Sequence, residues 1–342
     1  MSVFEQKIKI NNDRITSILN NWKFYQSDTP GKFEKKYIEI KDWLSNFEIS
    51  EIEDALKILE NTDYYKYEDY KKLISDLSKK NKKELLEKNL SNVYFFGLGE
   101  YSSDSGTNFL YEFQRAMKIN NSYFPLLTIE DFINGKSNSE IDAIVFVDDI
   151  IGSGNQALTF FKKNLSKISV PIYYISLFCL KKGFENLNEN AGFKKIFTGK
   201  MISDEERFFS DKINIFQDDV EKERIMSICQ KYGEKLYPKH PLGYDDSQLL
   251  IAFEYNTPNN TLPIIWSSTN NESSNIETIW HPIFERRKIK VNNKTKSNED
   301  KTSNRYIQNI PQTYNRIFGR ELDFKRINHF LNQKKCKLLT II

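Results

Sequence analysis

The chain has 342 residues, room for one large domain or two ordinary ones. Its 50 lysines and arginines stand against 47 aspartates and glutamates, a net charge of only +3, so the overall balance does not demand nucleic acid as a partner. Three scattered cysteines (Cys179, Cys229, Cys336) and three scattered histidines (His240, His281, His329) argue against a disulfide framework and a sequence-local zinc site, and suggest a reducing compartment. The first residues carry no apolar signal core and no run of 18 apolar residues occurs, so a cytoplasmic protein without a membrane partner is expected.

Residues 1 to about 90 read as a helical segment. Ile8, Ile10, Ile15, Ile18, Leu19 and Trp22 fall on one helical face, and Tyr37, Ile40, Trp43 and Leu44 on another. Ile52, Ala55, Leu56, Ile58 and Leu59 continue the pattern, followed by Tyr70, Leu73, Ile74 and Leu77. The run Lys79-Lys80-Asn81-Lys82-Lys83 reads as a solvated face or loop, with nucleic-acid contact as the lesser alternative. Residues 92–99 form the first strand, stopped by glycines. A Ser/Asp/Gly-rich loop follows, then a helix with Phe109, Leu110, Phe113 and Ala116 on one face. Residues 123–127 read as a short strand and residues 131–139 as a polar turn region.

The stretch Ala143-Ile144-Val145-Phe146-Val147 is apolar throughout and rich in β-branched residues, the signature of a strand buried on both faces of a parallel sheet. Asp148 and Asp149 are expected to end it. Gly152-Ser153-Gly154-Asn155 then forms a small-residue loop, and Ala157, Leu158, Phe160 and Phe161 open a helix. Strand, acid pair, loop and helix start suit a phosphorylated sugar: loop amides receive phosphate, glycines let it approach, and carboxylates accept from ribose hydroxyls. No Gly-Lys-Ser/Thr follows the glycines, which argues against a P-loop. An acidic strand end capping a Rossmann-like helix remains the other reading.

Residues 170–179 read as a further buried strand, 183–190 as a helix and 195–197 as a strand, and this alternation predicts a parallel sheet with helices on both faces. A second acid pair, Asp218-Asp219, has no glycine loop; with Glu221 it reads as acids against the positive end of a helix reaching about Leu236. Residues 240–266 hold two apolar runs, 249–253 and 262–266, read as strands around an amide- and hydroxyl-rich loop. That loop suits base recognition or a self-satisfied Asx turn. His240 and His281 read as structural. From residue 286 the chain turns polar, as a linker does.

The residues from Ala143 to Ala157 resemble the 5-phosphoribosyl-1-pyrophosphate (PRPP) loop of type I phosphoribosyltransferases. The resemblance implies an α/β fold, a phosphoribosyltransferase-like parallel sheet flanked by helices, here with an N-terminal helical segment. It implies that Asp148 and Asp149 are the catalytic pair holding the ribose hydroxyls, and that Gly152, Ser153, Gly154, Asn155 and Gln156 receive the 5′-phosphate. It places a pyrophosphate-covering loop at Gly97, Ser103, Ser105 and Gly106, where a Ser/Asp turn is the alternative. This loop lacks the family's common basic residue; Gly152 and Gln156 also depart from the family pattern. No resident metal site is expected, and Mg²⁺ would arrive with PRPP.

Roughly residues 30 to 290 resemble the phosphoribosyltransferase-like (PRTase-CE-like) effectors of bacterial conflict, or anti-phage, systems. Further on, Ile317-Phe318-Gly319-Arg320-Glu321, an amphipathic stretch and an apolar run at 336–342 resemble the approach to the phosphate loop of a STAND-type NTPase, with an ordinary helix and strand returning to the first domain's sheet as the alternative. The expected plan is a helical segment (1–90), a phosphoribosyltransferase-like domain (91–285), a linker (286–310) and the start of a truncated NTPase module (311–342). The expected function is an effector domain binding PRPP or a nucleotide. A catalytically inactive nucleotide sensor and a retron- or nucleic-acid-associated defence partner are the alternatives.

Overall fold

The computed structural model describes residues 2–27, 31–86, 92–99, 105–118, 121–125, 129–135, 140–166, 168–268 and 279–286. The chain divides into two units, Met1–Ile289 and Lys290–Ile342, and all that follows concerns the first. The Phe318–Glu321 turn, the strand expected at 336–342 and the linker beyond residue 286 lie outside the described residues.

Four helices open the chain: α1 (Val3–Ile10), α2 (Asn12–Asn21), α3 (Lys32–Leu44) and α4 (Ile52–Glu60). Ser2 and Glu5 close a reciprocal capping box at the start of α1. Each helix buries one stripe, and the apolar spacing chooses it: Ile15, Ile18 and Leu19 in α2, Ile40, Trp43 and Leu44 in α3, and Ile52, Ala55, Leu56, Ile58 and Leu59 in α4. These stripes share one core with α10 (Asp219–Leu236), α11 (Pro263–Trp266) and the residues Trp280, Ile283 and Phe284. Polar ties cross the same boundary. Trp43 Nε1 donates to the Ile264 carbonyl at 2.7 Å, and Arg224 grips the buried Asp54 with two bonds of 2.9 Å. Asp218 caps α10 by accepting from Glu221 N–H at 2.8 Å, as its position before the helix predicts.

The main sheet has four strands, β2 (Val93–Gly97), β3 (Ala143–Ile151), β4 (Ile172–Leu180) and β5 (Lys195–Ile202), all parallel and in that spatial order. One face packs against α5 (Tyr67–Leu86) and α6 (Ser105–Met117). The other packs against α7 (Ile129–Asn134), α8 (Asn155–Phe160) and α9 (Lys181–Asn190). Helices on both faces leave β3 and β4 no solvent side, which is why their sequences are apolar without alternation. A second, two-stranded parallel sheet joins β1 (Asp63–Tyr65) to β6 (Ile251–Phe253). No helix among the described residues is long and apolar enough to cross a membrane.

Four expectations of local structure change. The strand β3 does not stop at the aspartates; Ile150 and Ile151 pair with Phe178 and Cys179 and carry it to Ile151. Residues 262–266 form the helix α11 and not a strand, because Pro263 sits at its first position, where the missing N–H costs nothing. Tyr123 lies in a 3₁₀ turn, Asn121–Tyr123, while Leu126 and Leu127 of that expected strand lie outside the described residues. The helix α7 occupies the first part of the expected turn region at 131–139.

After Trp280 the chain runs back across this core. Ile283 and Phe284 N–H both donate to the Ile265 carbonyl, Thr257 Oγ1 donates to the Phe284 carbonyl at 3.0 Å, and Arg286 N–H donates to the Trp266 carbonyl at 3.2 Å. Asn46 holds the backbone of His281 from both sides, donating to its carbonyl at 2.9 Å and accepting from its N–H at 3.0 Å.

Candidate functional site

Asp148 and Asp149 lie inside β3, only 4% and 3% exposed. Adjacent strand residues point to opposite faces, so the two carboxylates leave the sheet on different sides. Asp148 lies on the α8 side. Its Oδ1 accepts from Asp149 N–H at 2.9 Å and its Oδ2 from the Tyr174 hydroxyl at 3.3 Å. Asp149 lies on the α5 side, where its Oδ2 accepts from the Tyr255 hydroxyl at 3.1 Å. Its Oδ1 has no hydrogen bond among the described residues. The strand ladder is interrupted beside this pair: pairing runs through Asp148↔Ser176, omits Asp149 opposite Leu177, and resumes at Ile150↔Phe178. The next pair of strands omits Leu177 opposite Gly199 in the same row.

The loop after β3 is held from two sides. Gly154, with φ +78°, makes the left-handed turn into α8. Ser153 is buried and its Oγ lies 3.4 Å from Asn155 N. Asn186 of α9 donates to the Ser153 carbonyl at 2.8 Å and to Asn155 Oδ1 at 3.2 Å. Gly183, in the first turn of α9, lets the two backbones meet: a Cβ there would stand 2.0 Å from the Gly152 carbonyl oxygen. On the other side the Asn260 side chain lies against Gly152, its Nδ2 donating to Ser247 Oγ at 2.9 Å. The amides of Ser153, Gly154 and Gln156 make no hydrogen bond among the described residues, and the side chains of Asn155 and Gln156 are exposed.

The amide-rich segment therefore comes to this loop, but Asn260 is satisfied by its own neighbours. The loop that holds it carries three non-glycine residues in left-handed conformation, Asp245, Asp246 and Gln248, at φ 54°, 52° and 52°. Such residues cost about 1–3 kcal/mol each and persist where surrounding contacts fix them. Here Lys182 donates to the Asp245 carbonyl at 2.5 Å and pairs with its carboxylate at 3.1 Å, while Arg207 donates to the Asp246 carbonyl at 3.2 Å.

Of the residues expected to cover a pyrophosphate, Gly97 closes β2 opposite Val147, and Gly106 packs on the Leu98 backbone in the first turn of α6. Ser103 lies outside the described residues, as does the side chain of Ser105. Among the described residues no group of three or more His, Cys, Asp or Glu side chains could hold a metal ion. Cys179 is buried in β4, and burial pushes its thiol up to about 12, so it is an inert core residue.

Tyr174 and Tyr255 donate to the acid pair and the Tyr70 ring packs on that of Tyr255, and none of the three carries a local sequence signal. Burial raises the pKa of all three phenols well above 10, followed by the negative charge of Asp149 for Tyr70 and Tyr255 and of Asp148 for Tyr174. The folded state thus holds these protons more tightly than the unfolded chain does. The stability they contribute is intact below the ordinary phenol value near 10 and declines as pH rises above it. In an alkaline titration followed by phenolate absorbance and circular dichroism, these three phenols should ionise only as the chain unfolds. Their reversible ionisation near pH 10 in folded protein would contradict the burial described.

A four-stranded parallel sheet flanked by helices, with an acid pair and a glycine loop on one central strand, is the architecture of a phosphoribosyltransferase-like domain. The PRTase-CE family matches residues 40–286, and the chain belongs to that family. No curated protein matches the chain. Among solved structures, a hypothetical protein from Neisseria gonorrhoeae with bound ppGpp aligns at 12% identity over 49% of this chain and 97% of that one. Its TM-score is 0.28, too low for that likeness to inform the fold or the ligand of this chain.

Proposed function

We propose that this chain is a phosphoribosyltransferase-like effector module that binds PRPP or a nucleotide at the C-terminal end of β3. The observation that carries this reading is a buried acid pair directly followed by a loop with unbonded amides. Asp149 Oδ1 is available to accept from a ribose hydroxyl, and the amides of Ser153 and Gly154 are available to a phosphate. In a transfer reaction the departure of pyrophosphate leaves a cationic ribosyl centre. The protein's task would be to hold the phosphates, exclude water and keep carboxylate charge nearby. Magnesium enters only as the counter-ion brought by the pyrophosphate.

A second reading, binding without turnover, is favoured by Asp148. Both of its oxygens already accept hydrogen bonds, from Asp149 N–H and the Tyr174 hydroxyl, which leaves it committed to the fold. Calorimetric titration with PRPP, ribose 5-phosphate and nucleotides, with and without Mg²⁺, tests both readings. Asp149→Asn should weaken binding roughly 10- to 100-fold, the range of a charge-assisted hydrogen bond. Pyrophosphate release on mixing PRPP with acceptors would identify a transferase, and binding without release a sensor. No heat with any of these ligands would remove the sugar-phosphate reading. The anti-phage setting and a following STAND-type NTPase complete the proposal. They rest on the family resemblance and on Phe318–Glu321, and sequencing past codon 342 tests them by the presence or absence of a Gly-Lys-Ser/Thr loop.

A further inference from the structure

We infer that Ser176 and Thr198 are positioning residues for the β3 site. With Asp148 they form a polar row across three strands that fixes where Asp149 and the following loop point. This inference rests on the sugar-phosphate reading and adds two residues from outside β3 and its loop. The strands β3, β4 and β5 all change face at one level. Val147 packs on the α5 side, and Ile151, four residues on, packs on the α8 side. Ile175 and Cys179 in β4 do the same, and Ile196 and Ile202 in β5 lie on opposite faces although six residues apart. An even spacing keeps the residues of a regular strand on one face, so each strand carries an irregularity between these positions. It falls at the row Asp149–Leu177–Gly199, which the pairing omits in both ladders, while the register is the same on either side. Three strands thus share one irregularity, and their register survives it. A bulge re-aims side chains in the same way, and such features gather beside active sites.

The row just before the break holds it. Asp148, Ser176 and Thr198 are paired in register across the sheet. Each turns its side chain onto nearby backbone. Asp148 Oδ1 accepts from Asp149 N–H at 2.9 Å, the Ser176 hydroxyl donates to the Phe178 carbonyl, and Thr198 Oγ1 donates to the Lys200 carbonyl at 3.1 Å. Ser176 is fully buried, where a hydroxyl or carbonyl left unpaired is costly. Gly199 completes the arrangement, because a Cβ there would stand 2.7 Å from the Leu177 carbonyl oxygen. The consequence reaches the site. Asp149 and Ile150 lie together on the α5 side, which brings Asp149 to the Tyr255 hydroxyl, and Ile151 anchors the strand end in the α8 core. In a regular strand Ile150 and Ile151 would exchange faces, and the loop from Gly152 to Gln156 would leave β3 turned over.

Calorimetric titration of the full chain with ribose 5-phosphate tests this, with hydrogen exchange over residues 147–151 as a readout that needs no ligand. Ser176→Ala should weaken ribose 5-phosphate roughly 3- to 10-fold, the range of one neutral hydrogen bond, and Thr198→Val should do the same. Thr198→Ser keeps the hydroxyl and should retain wild-type affinity. The loss from Ser176→Ala should shrink in an Asp149→Asn background, since part of it passes through that carboxylate. Exchange over residues 147–151 should accelerate roughly tenfold in the Ser176→Ala/Thr198→Val double variant and stay unchanged over residues 143–146. Unchanged exchange at 147–151, or affinity losses that simply add to that of Asp149→Asn, would overturn the positioning role while the sugar-phosphate reading stands. A wild-type chain that binds neither ribose 5-phosphate nor PRPP removes both.

Discussion

Gly183→Ala should lower the melting temperature by roughly 5 °C and abolish the sugar-phosphate binding proposed for the β3 loop. The added Cβ would stand 2.0 Å from the Gly152 carbonyl oxygen and 3.0 Å from the Gly152 carbonyl carbon and Ile151 Cγ2. The nearest obstacle is backbone, so no rotamer change relieves it. Overpacking costs about 1–3 kcal/mol where side chains can yield. A rigid contact belongs at or above the top of that range, and about 3 kcal/mol converts to the stated shift for a unit of this size. The strain would be released by separating α9 from the loop, which also frees Asn186 from Ser153 and Asn155. Differential scanning calorimetry with ligand titration measures both effects. Glu185→Ala, a change at an exposed residue of the same helix, serves as control. An unaltered melting temperature and affinity in Gly183→Ala would mean that α9 does not press on the loop.

Trp43→Ala should cost about 3–5 kcal/mol, the range for removing a large buried aromatic side chain. Trp43 is fully buried, meets the Phe47 ring edge-on at 4.6 Å, and donates to Ile264 in α11. One residue therefore ties α3 to a helix more than two hundred positions later. The truncation removes the packing and one of two donors to the Ile264 carbonyl, the other being Trp280 Nε1 at 3.3 Å. Trp43→Phe should cost less, about 1–2 kcal/mol, because it keeps most of the ring area and loses the hydrogen bond. Urea unfolding of both variants measures the two costs. A Trp43→Ala loss below 1 kcal/mol would show that the N-terminal helical segment does not depend on this contact.

The sheet was legible because β3 and β4 are covered on both faces, and a strand with no solvent side must be apolar along its length. The acid pair was legible for the opposite reason: two aspartates in such a run break the pattern. Their surroundings were not. Tyr70, Tyr174 and Tyr255 come from three separated stretches, and only the tertiary fold brings their groups to one place. The end of β3 was misplaced because aspartate disfavours strands. Two phenol donors outweigh that preference here. The helix α11 reads as a strand in sequence because four or five apolar residues fit either period, and Pro263 is the local clue to the helix. The strand β1 has no such signal because it is three residues long and its partner among the described residues, β6, lies nearly two hundred residues away.

The family match begins at residue 40, in the middle of α3, whereas the core continues back to Ile8, Ile15, Ile18, Leu19, Trp22 and Phe33. Inherited unit and folding unit thus have different borders. A fragment cut to the matched borders would begin inside a helix and strip the cover from Phe284, whose ring Trp22 meets edge-on at 4.9 Å, and from the face of α4 on which α2 packs. Apolar area laid bare in this way favours self-association. Recombinant work on this site should therefore begin at Met1, or the first property measured will be aggregation.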